Sequence, residues 1–399
     1  MNISRACFAS TLVVLAAADG PLLSQARDPR APTPATASTF AILGTGWGAL
    51  AAGRTDDAVK AAERVLTRQP ADHAALDLKI EALATSQPLP ALDAYEAALS
   101  RTRIEDVFLL VPVARGTLRQ IGAGDVPVLQ AQALQRLAAA GDEVAAAQLR
   151  DVSERSRGTV DVQLALAGNA AAAQRLLQSN VGVPAQTVAR ALAAGGSAAV
   201  PTLRSMLKHP DAPVRMEAAM SLGKMGAQDA APDLKVLLTD PETRSFAAVA
   251  LTRLGEPDGE AIVQELVQSP SFDVRILGAE AYVGKGPGAW SQALMPALQD
   301  PNGLTRIRAA ELLAPVAPEA ARAVLMEAAN DPNPVIRGDV SRVLEVTGLV
   351  RPTEPGTPEA ADSMPVSKAV ATLRRLLRDA DPSVRLHAGG SILAVARGR

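Results

Sequence analysis

Residues 207–226 read LKHPDAPVRMEAAMSLGKMG, and the pattern returns at 300–317 as DPNGLTRIRAAELLAPVA, at 331–348 as DPNPVIRGDVSRVLEVTG and at 379–396 as DADPSVRLHAGGSILAVA. Collecting every copy puts Arg at 215, 244, 275, 306, 337 and 385, with successive spacings of 29, 31, 31, 31 and 48. Four residues before each Arg stands Asp211, Asp240, Ser271, Asn302, Asn333 or Asp381. All are side chains that accept hydrogen bonds from the free N–H groups of a helix start. Pro241, Pro334 and Pro382 directly follow their caps, where a fixed φ and a missing N–H cost nothing.

Three and seven residues after each Arg come Ala218 and Leu222, Ala247 and Leu251, Gly278 and Tyr282, Ala309 and Leu313, Val340 and Leu344, then Ala388 and Ile392. That interval lays one buried stripe along a helix. Eleven residues after the Arg, Gly226, Gly255, Gly286 and Gly348 stand where a helix ends in a left-handed residue, while Ala317 and Ala396 break the rule. Upstream of the caps, Leu203, Met206 and Leu207 are matched by Val263, Leu266 and Val267 and by Leu373, Leu376 and Leu377, which predicts a second, shorter helix in each unit. The unit is a helix pair, and pairs recurring near 31 residues stack into a solenoid.

Caps, stripe, Arg and terminal Gly in register resemble the HEAT repeat, in the short bacterial form also found in phycobilin lyase-like proteins. The resemblance implies an all-α solenoid of stacked helix pairs, with a ladder of hydrogen bonds between the Arg and turn-Asp side chains of successive repeats. It maps onto Arg215, Arg244, Arg275, Arg306, Arg337 and Arg385, and onto Asp240, Asp300, Asp331 and Asp379. His209 and Ser269 stand at the equivalent turn points, so the ladder is expected to be incomplete there.

The HEAT-like array is thus read over residues 201–399. Its long fifth spacing marks an inserted loop at 350–366, around RPTEPGTPEAADSMP, too rich in Pro and polar residues for another helix pair. Residues 103–200 read as degenerate helical repeats, with Asn180 to Gly195 keeping the 15-residue cap-to-Gly interval. Over residues 40–102, Ala58, Ala62 and Val65 recur 33 residues later as Ala91, Tyr95 and Ala98. With Gly46, Gly53 and Pro70, this resembles a pair of tetratricopeptide hairpins, whose period is near 34. Residues 27–39, RDPRAPTPATAST, read as an extended, disordered linker.

Residues 1–26 have the order of a secretory signal: Arg5, an apolar stretch from Ala6 to Ala18, then small residues ending Ser24-Gln25-Ala26, with an earlier cleavage alternative at Ala16 to Ala18. The apolar stretch is short of the roughly 20 residues that span a bilayer. An exported protein, periplasmic or secreted, is expected, with no integral membrane segment in the mature chain. Its single cysteine, Cys7, lies inside the signal, so neither disulfide nor thiolate chemistry is expected.

Hydrophobic residues make up 48% of the chain but aromatics only 2%, a composition for closely packed helices. With 40 basic against 42 acidic residues there is no field to draw nucleic acid. Residues 368–399 carry seven basic and two acidic side chains but no interleaved aromatics for stacking on single strands. The three histidines, His73, His209 and His387, form no metal-binding pair, and the His-Glu dipeptides that HEAT-repeat hydroxylases use for a di-iron centre are missing. No cofactor and no metal are expected. Gly44, Gly46 and Gly48 in ILGTGWGAL lack the preceding strand and lysine of a nucleotide loop, and Trp47 and Trp290 read as packing residues.

The expected function is that of a non-catalytic scaffold or adaptor holding a protein or peptide along the capped helices. Alternatives are a chromophore-handling or lyase-like protein on the same scaffold and a structural spacer in an envelope assembly. Glu280, Arg308, Glu311 and Arg342 are expected to face outward as a charged row, because positions 31 apart align across stacked repeats.

Overall fold

Ala- and Leu-rich segments broken by turn residues leave helix pairing as the way to bury apolar surface, and the computed structural model follows that expectation. It describes residues 34–102, 105–155, 159–166, 169–178, 184–347 and 364–397, and no strand occurs among them. The chain divides into two units, Met1–Ala41 and Ile42–Arg399. The stretch expected to be a signal, 1–26, and most of the insertion expected at 350–366 lie outside the described residues.

The helices are α1 (Pro34–Ala51), α2 (Thr55–Leu66), α3 (His73–Ala84), α4 (Pro88–Thr102), α5 (Val107–Gly122), α6 (Pro127–Ala139), α7 (Glu143–Arg155), α8 (Thr159–Leu166), α9 (Ala170–Gln178), α10 (Ala185–Ala191) and α11 (Val200–Met206). There follow α12 (Ala212–Lys224), α13 (Ala231–Val236), α14 (Arg244–Leu254), α15 (Glu260–Val267), α16 (Phe272–Ala279), α17 (Ala289–Leu294), α18 (Gly303–Leu313), α19 (Pro318–Ala328), α20 (Pro334–Val346), α21 (Met364–Leu376) and α22 (Pro382–Ala396). Two boundaries differ from expectation. α1 begins at Pro34, inside the stretch read as a disordered linker, and α21 begins at Met364, inside the stretch read as a loop.

In the second unit, α12, α14, α16, α18, α20 and α22 are the Arg-bearing helices, and each packs on the next. Their stripe residues Ala218, Leu222, Ala247, Leu251, Ala309, Leu313, Val340, Leu344, Ala388 and Ile392 are wholly buried. Asn302, Asn333 and Asp381 accept a hydrogen bond from the N–H two residues on, as caps should. Asp211 and Ser271 stand at cap positions without that side-chain bond. Asp240 is not a cap: α14 starts four residues later, behind Thr243, whose buried hydroxyl donates to the Leu237 carbonyl at 3.1 Å.

The left-handed helix end expected at Gly286 occurs instead at Gly284, with φ of 83°. α16 stops at Ala279 and tightens into a 3-10 turn, Glu280–Tyr282, so the reversal comes two residues early. Gly226 and Gly255 reverse where expected, and Gly348 lies outside the described residues.

In the N-terminal hairpins, both sets of 33-residue equivalents are buried: Ala58, Ala62 and Val65 on α2, and Ala91, Tyr95 and Ala98 on α4. Gly46 sits mid-helix in α1, where a Cβ would come within 2.5 Å of Leu78 Cδ2. The glycine is there for close packing. Trp47, read as a packing residue, is 38% exposed.

A stack of repeats is expected to have two free ends, yet in the second unit the last helix packs back on α5 and α6, well before it in the chain. α22 lies against α5 and α6, which continue through α8 and α10 to α12. The Arg-bearing helices therefore belong to a closed circuit of contacts: α5, α6, α8, α10, α12, α14, α16, α18, α20, α22 and back to α5. Gly389 and Gly390 explain how α22 approaches so closely. A Cβ at the first would lie 3.4 Å from the Ala114 carbonyl oxygen, and at the second 2.9 Å from Arg136 Nε. Mid-helix glycine costs about 1 kcal/mol against alanine, so close packing is the reason for the pair.

The basic C-terminal stretch forms the clasp. Arg374 on α21 donates to Glu96 and Glu105, each at 2.9 Å, and Arg378 reaches Asp93 at 2.5 Å and Glu96 at 2.7 Å. Arg136 on α6 forks onto Glu345 of α20 at 2.8 and 3.1 Å, and Arg397 donates to the Ala139 carbonyl.

Candidate functional site

The six Arg side chains were expected to link successive repeats through turn carboxylates. What most of them do first is hold their own turn. Arg215, Arg306, Arg337 and Arg385 each donate through Nη1 to the carbonyls six and five residues earlier, at 2.6–3.1 Å. Those carbonyls lie in the turn, beyond the last residue of the preceding helix, where no helical N–H reaches them. Rungs to the next repeat's acid form at Arg215 to Asp240 (2.8 Å) and at Arg337 to Asp379, where Nε and Nη2 make a fork of 2.6 and 2.8 Å.

Arg275 crosses to the next repeat by the Ala293 carbonyl instead, at 2.8 Å, with its guanidinium 4.1 Å over the Phe272 ring. Arg306 donates to the carbonyls of Asp300 and Pro301, and its expected rung to Asp331 is not made. Arg244 is exposed at the first residue of α14 and belongs to no rung among the described residues. The turn Asp lies four residues before Arg244 but six before Arg306, Arg337 and Arg385, so Arg244 comes too early to reach the turn.

The turn acids have a constant role of another kind. Asp240, Asp300, Asp331 and Asp379 each accept the N–H two residues on, at 2.7–3.0 Å, and His209 Nδ1 and Ser269 Oγ do the same at 3.1 and 3.2 Å. Thus His209 and Ser269 complete their turns although they supply no carboxylate. The Arg337 fork holds the Asp379 carboxyl below the usual carboxylate range.

The charged row lies where stacking places it, but not as an open surface. Arg308 donates to Glu280 at 2.5 Å and to Glu311 at 2.6 Å, while Arg342 reaches Glu311 at 3.1 and 3.3 Å and Asp339 at 3.2 Å. Glu280 is buried and the other three are half-buried. The expectation of outward, solvated charges is corrected: each residue sits at a repeat junction, so neighbours 28 to 31 residues apart neutralise one another. Burial lowers the Arg308 guanidinium pKa, but the flanking carboxylates outweigh it and leave the pKa raised. For Glu311, the two arginines override burial and hold its pKa down.

Beside this row is a cavity of about 380 Å³, lined by Lys224, Arg253, Glu280, Lys285, Arg308 and Glu311, by the Tyr282 and Trp290 rings, and by Pro315 and Val346 among others. Trp290 is stacked on Tyr282 with centroids 6.2 Å apart, and its indole donates to the Gly286 carbonyl at 3.3 Å. Burial and the bond donated to Glu260 push the Tyr282 hydroxyl up to about 12. Arg253 donates to the Glu280 carbonyl at 2.8 Å, and burial pulls its pKa down, only partly opposed by Glu280. A second cavity, of about 670 Å³, opens near Arg204 and Gln228.

The cavity residues were not foreseen as a group. A signal existed: Lys224, Arg253, Gly284, Pro315 and Val346 each stand nine residues after a repeat Arg, and all five line the cavity. Among the described residues no group of three or more His, Cys, Asp or Glu is arranged to hold a metal ion. No helix among them is long and apolar enough to cross a membrane.

Residues 169–243 match the family described as HEAT repeats. That stretch is made of HEAT repeats. The matched stretch contains the α11–α12 pair and its turn, so the family assignment and the Arg register meet in the same residues. Among solved structures, human deoxyhypusine hydroxylase in complex with glycerol is similar at 19% identity and a TM-score of 0.32, over 71% of this chain and 98% of that one. No curated protein sequence matches the chain.

Proposed function

We propose that this protein is a non-catalytic scaffold, acting outside the cytoplasm, that holds a segment of a protein partner against its Arg-bearing helices. The observation behind this reading is the cavity beside the Glu280–Arg308–Glu311–Arg342 row. It brings together residues from consecutive repeats, as a site read along a solenoid should. Large polar side chains fixed by ion pairs lose little freedom on binding, which favours recognition over loose contact.

The export half of the proposal rests on residues 1–26 and is tested by N-terminal sequencing of the protein purified from its host. A chain beginning near Arg27, or after Ala18, in an extracytoplasmic fraction supports it, and an intact Met1 on cytoplasmic protein refutes it. The binding half is tested by photocrosslinking in cells from two single positions, Lys224 at the cavity and Val236 on the exposed side of α13. Protein adducts are expected from Lys224 and not from Val236. Adducts only from Val236, or from neither, would refute a partner held at this face.

A further inference from the structure

The row nine residues after each repeat Arg changes character along its length: Lys224 and Arg253 at one end, Gly284 in the middle, Pro315 and Val346 at the other. All five residues line one cavity, so that cavity runs from a cationic end to an apolar one. Around it stand five cations, Lys224, Arg253, Lys285, Arg308 and Arg342, against three carboxylates, Glu280, Glu311 and Asp339. Arg308 and Arg342 are hydrogen-bonded to these carboxylates, whereas Lys224 stands 3.8 Å from Glu280 Oε2, beyond hydrogen-bond reach. Arg253 and Lys285 have no ion-pair partner among the described residues: the first donates to the Glu280 carbonyl, the second to the Thr252 carbonyl at 3.3 Å over the Tyr282 ring at 5.4 Å.

The unmatched Arg253 is half-buried and the unmatched Lys285 is exposed at the cavity's edge, a pair of cations that favours an anion entering from solvent. A second observation narrows its kind. Glu280 Oε2 is buried without a hydrogen-bond donor, with Lys224 Nζ 3.8 Å away. Sulfate offers that oxygen no donor, and the charge of an inorganic phosphate is repelled by it. A polypeptide C-terminus offers a carboxylate, an amide N–H beside it and a side chain.

We infer that this cavity takes the C-terminal residue of a polypeptide partner, its carboxylate on Arg253 and Lys285, its amide N–H donating to Glu280, and an apolar side chain along Trp290, Pro315 and Val346. The inference rests on the scaffold reading above and gives it a ligand class. A free apolar acid shares the carboxylate and the side chain but not the N–H.

The test is calorimetric titration of the whole protein at low salt with acetylated tetrapeptides, Ala-Ala-Ala followed by Leu, Val, Phe or Met. Each is used as the free acid and as the C-terminal amide, with 4-methylpentanoate as the free-acid probe. At least one tetrapeptide acid is expected to bind about tenfold or more tightly than its amide, the size of one charge-assisted contact. Arg253→Gln should remove that preference, and Lys285→Gln should reduce it, with helicity unchanged by circular dichroism. If Arg253→Gln unfolds, the Lys285→Gln result and the acid-to-amide ratio decide. Equal binding of acid and amide, or no binding of any peptide, overturns the inference. Equal binding of 4-methylpentanoate and the best peptide also overturns it, making the cavity a site for small organic acids. If the peptides fail while Lys224 still crosslinks a protein, only the C-terminus inference falls; if both fail, the scaffold reading falls with it.

Discussion

Replacing Arg374 with alanine tests whether the last helix pair is fastened to helices well before it in the chain. Arg374 is 20% exposed and donates to Glu105, which is 10% exposed, and to Glu96, which is 32% exposed. Removing the guanidinium leaves the Glu105 carboxylate, apart from backbone and solvent, with only the long 3.4 Å contact from Tyr95 Oη. A charge-assisted bond in so covered a place is worth about 2 kcal/mol, and the more open Glu96 arm at most about 1, so a loss of about 3 kcal/mol is expected. Urea denaturation of Arg374→Ala, Glu105→Gln and the double variant gives the coupling directly. Because Glu105→Gln removes the charge left stranded, the double variant should be less destabilised than the sum of the two, by about 1–2 kcal/mol. Hydrogen exchange locates the effect, with protection falling in α22 and α5, which pack directly on one another. A stability change below about 0.5 kcal/mol, with α22 exchange unaltered, would refute the clasp.

Arg337→Ala should destabilise by about 3 kcal/mol through its fork to Asp379 and its own turn, while Arg244→Ala should stay within about 0.5 kcal/mol; thermal or urea melts of the two decide. Gly116→Ala should cost more than 2 kcal/mol by the same assay, on the order of overpacking, because the new methyl would meet the Ala84 carbonyl oxygen. Burial lowers the pKa of His387, outweighing its bond with the Ser383 carbonyl, so the unfolded chain takes up that proton first. Stability should therefore fall as pH drops below about 6.5, the unfolded value, and His387→Gln should flatten that part of the profile. The opposite slope, or no difference between the profiles, would refute it.

The helix pairs were legible because stacking imposes the same demands on each repeat: a turn, a cap, a buried stripe. A residue repeated for packing leaves a periodic mark. The ladder was misjudged because an Arg and an Asp in register do not say which of several oxygens the guanidinium will take, and Arg275 takes a carbonyl where Arg337 takes a carboxylate. The exception at Arg244 was written in the chain as a turn two residues shorter. The outward reading of Glu280 failed for a related reason. A charged position in a helix period looks solvated until its neighbour 28 residues on, Arg308, is seen to cover it. Closure left no periodic mark, since Arg374 and Glu96 belong to different parts of the array and meet only once.

Closure bears on what the cavity can do. In an open stack each repeat touches only its neighbours, so small changes at successive junctions add up and a site spread over several repeats is easily deformed. Joining α22 to α5 and α6 ties those junctions to one another, because a change at one must be taken up by the rest. Arg253, Lys285 and Glu280 come from neighbouring repeats and hold unmatched polar atoms close together, an arrangement that an unconstrained stack would relax by opening. The clasp opposes that relaxation. The work of gathering two free cations and an unpaired carboxylate oxygen is then done during folding, and an incoming terminus meets a site already assembled.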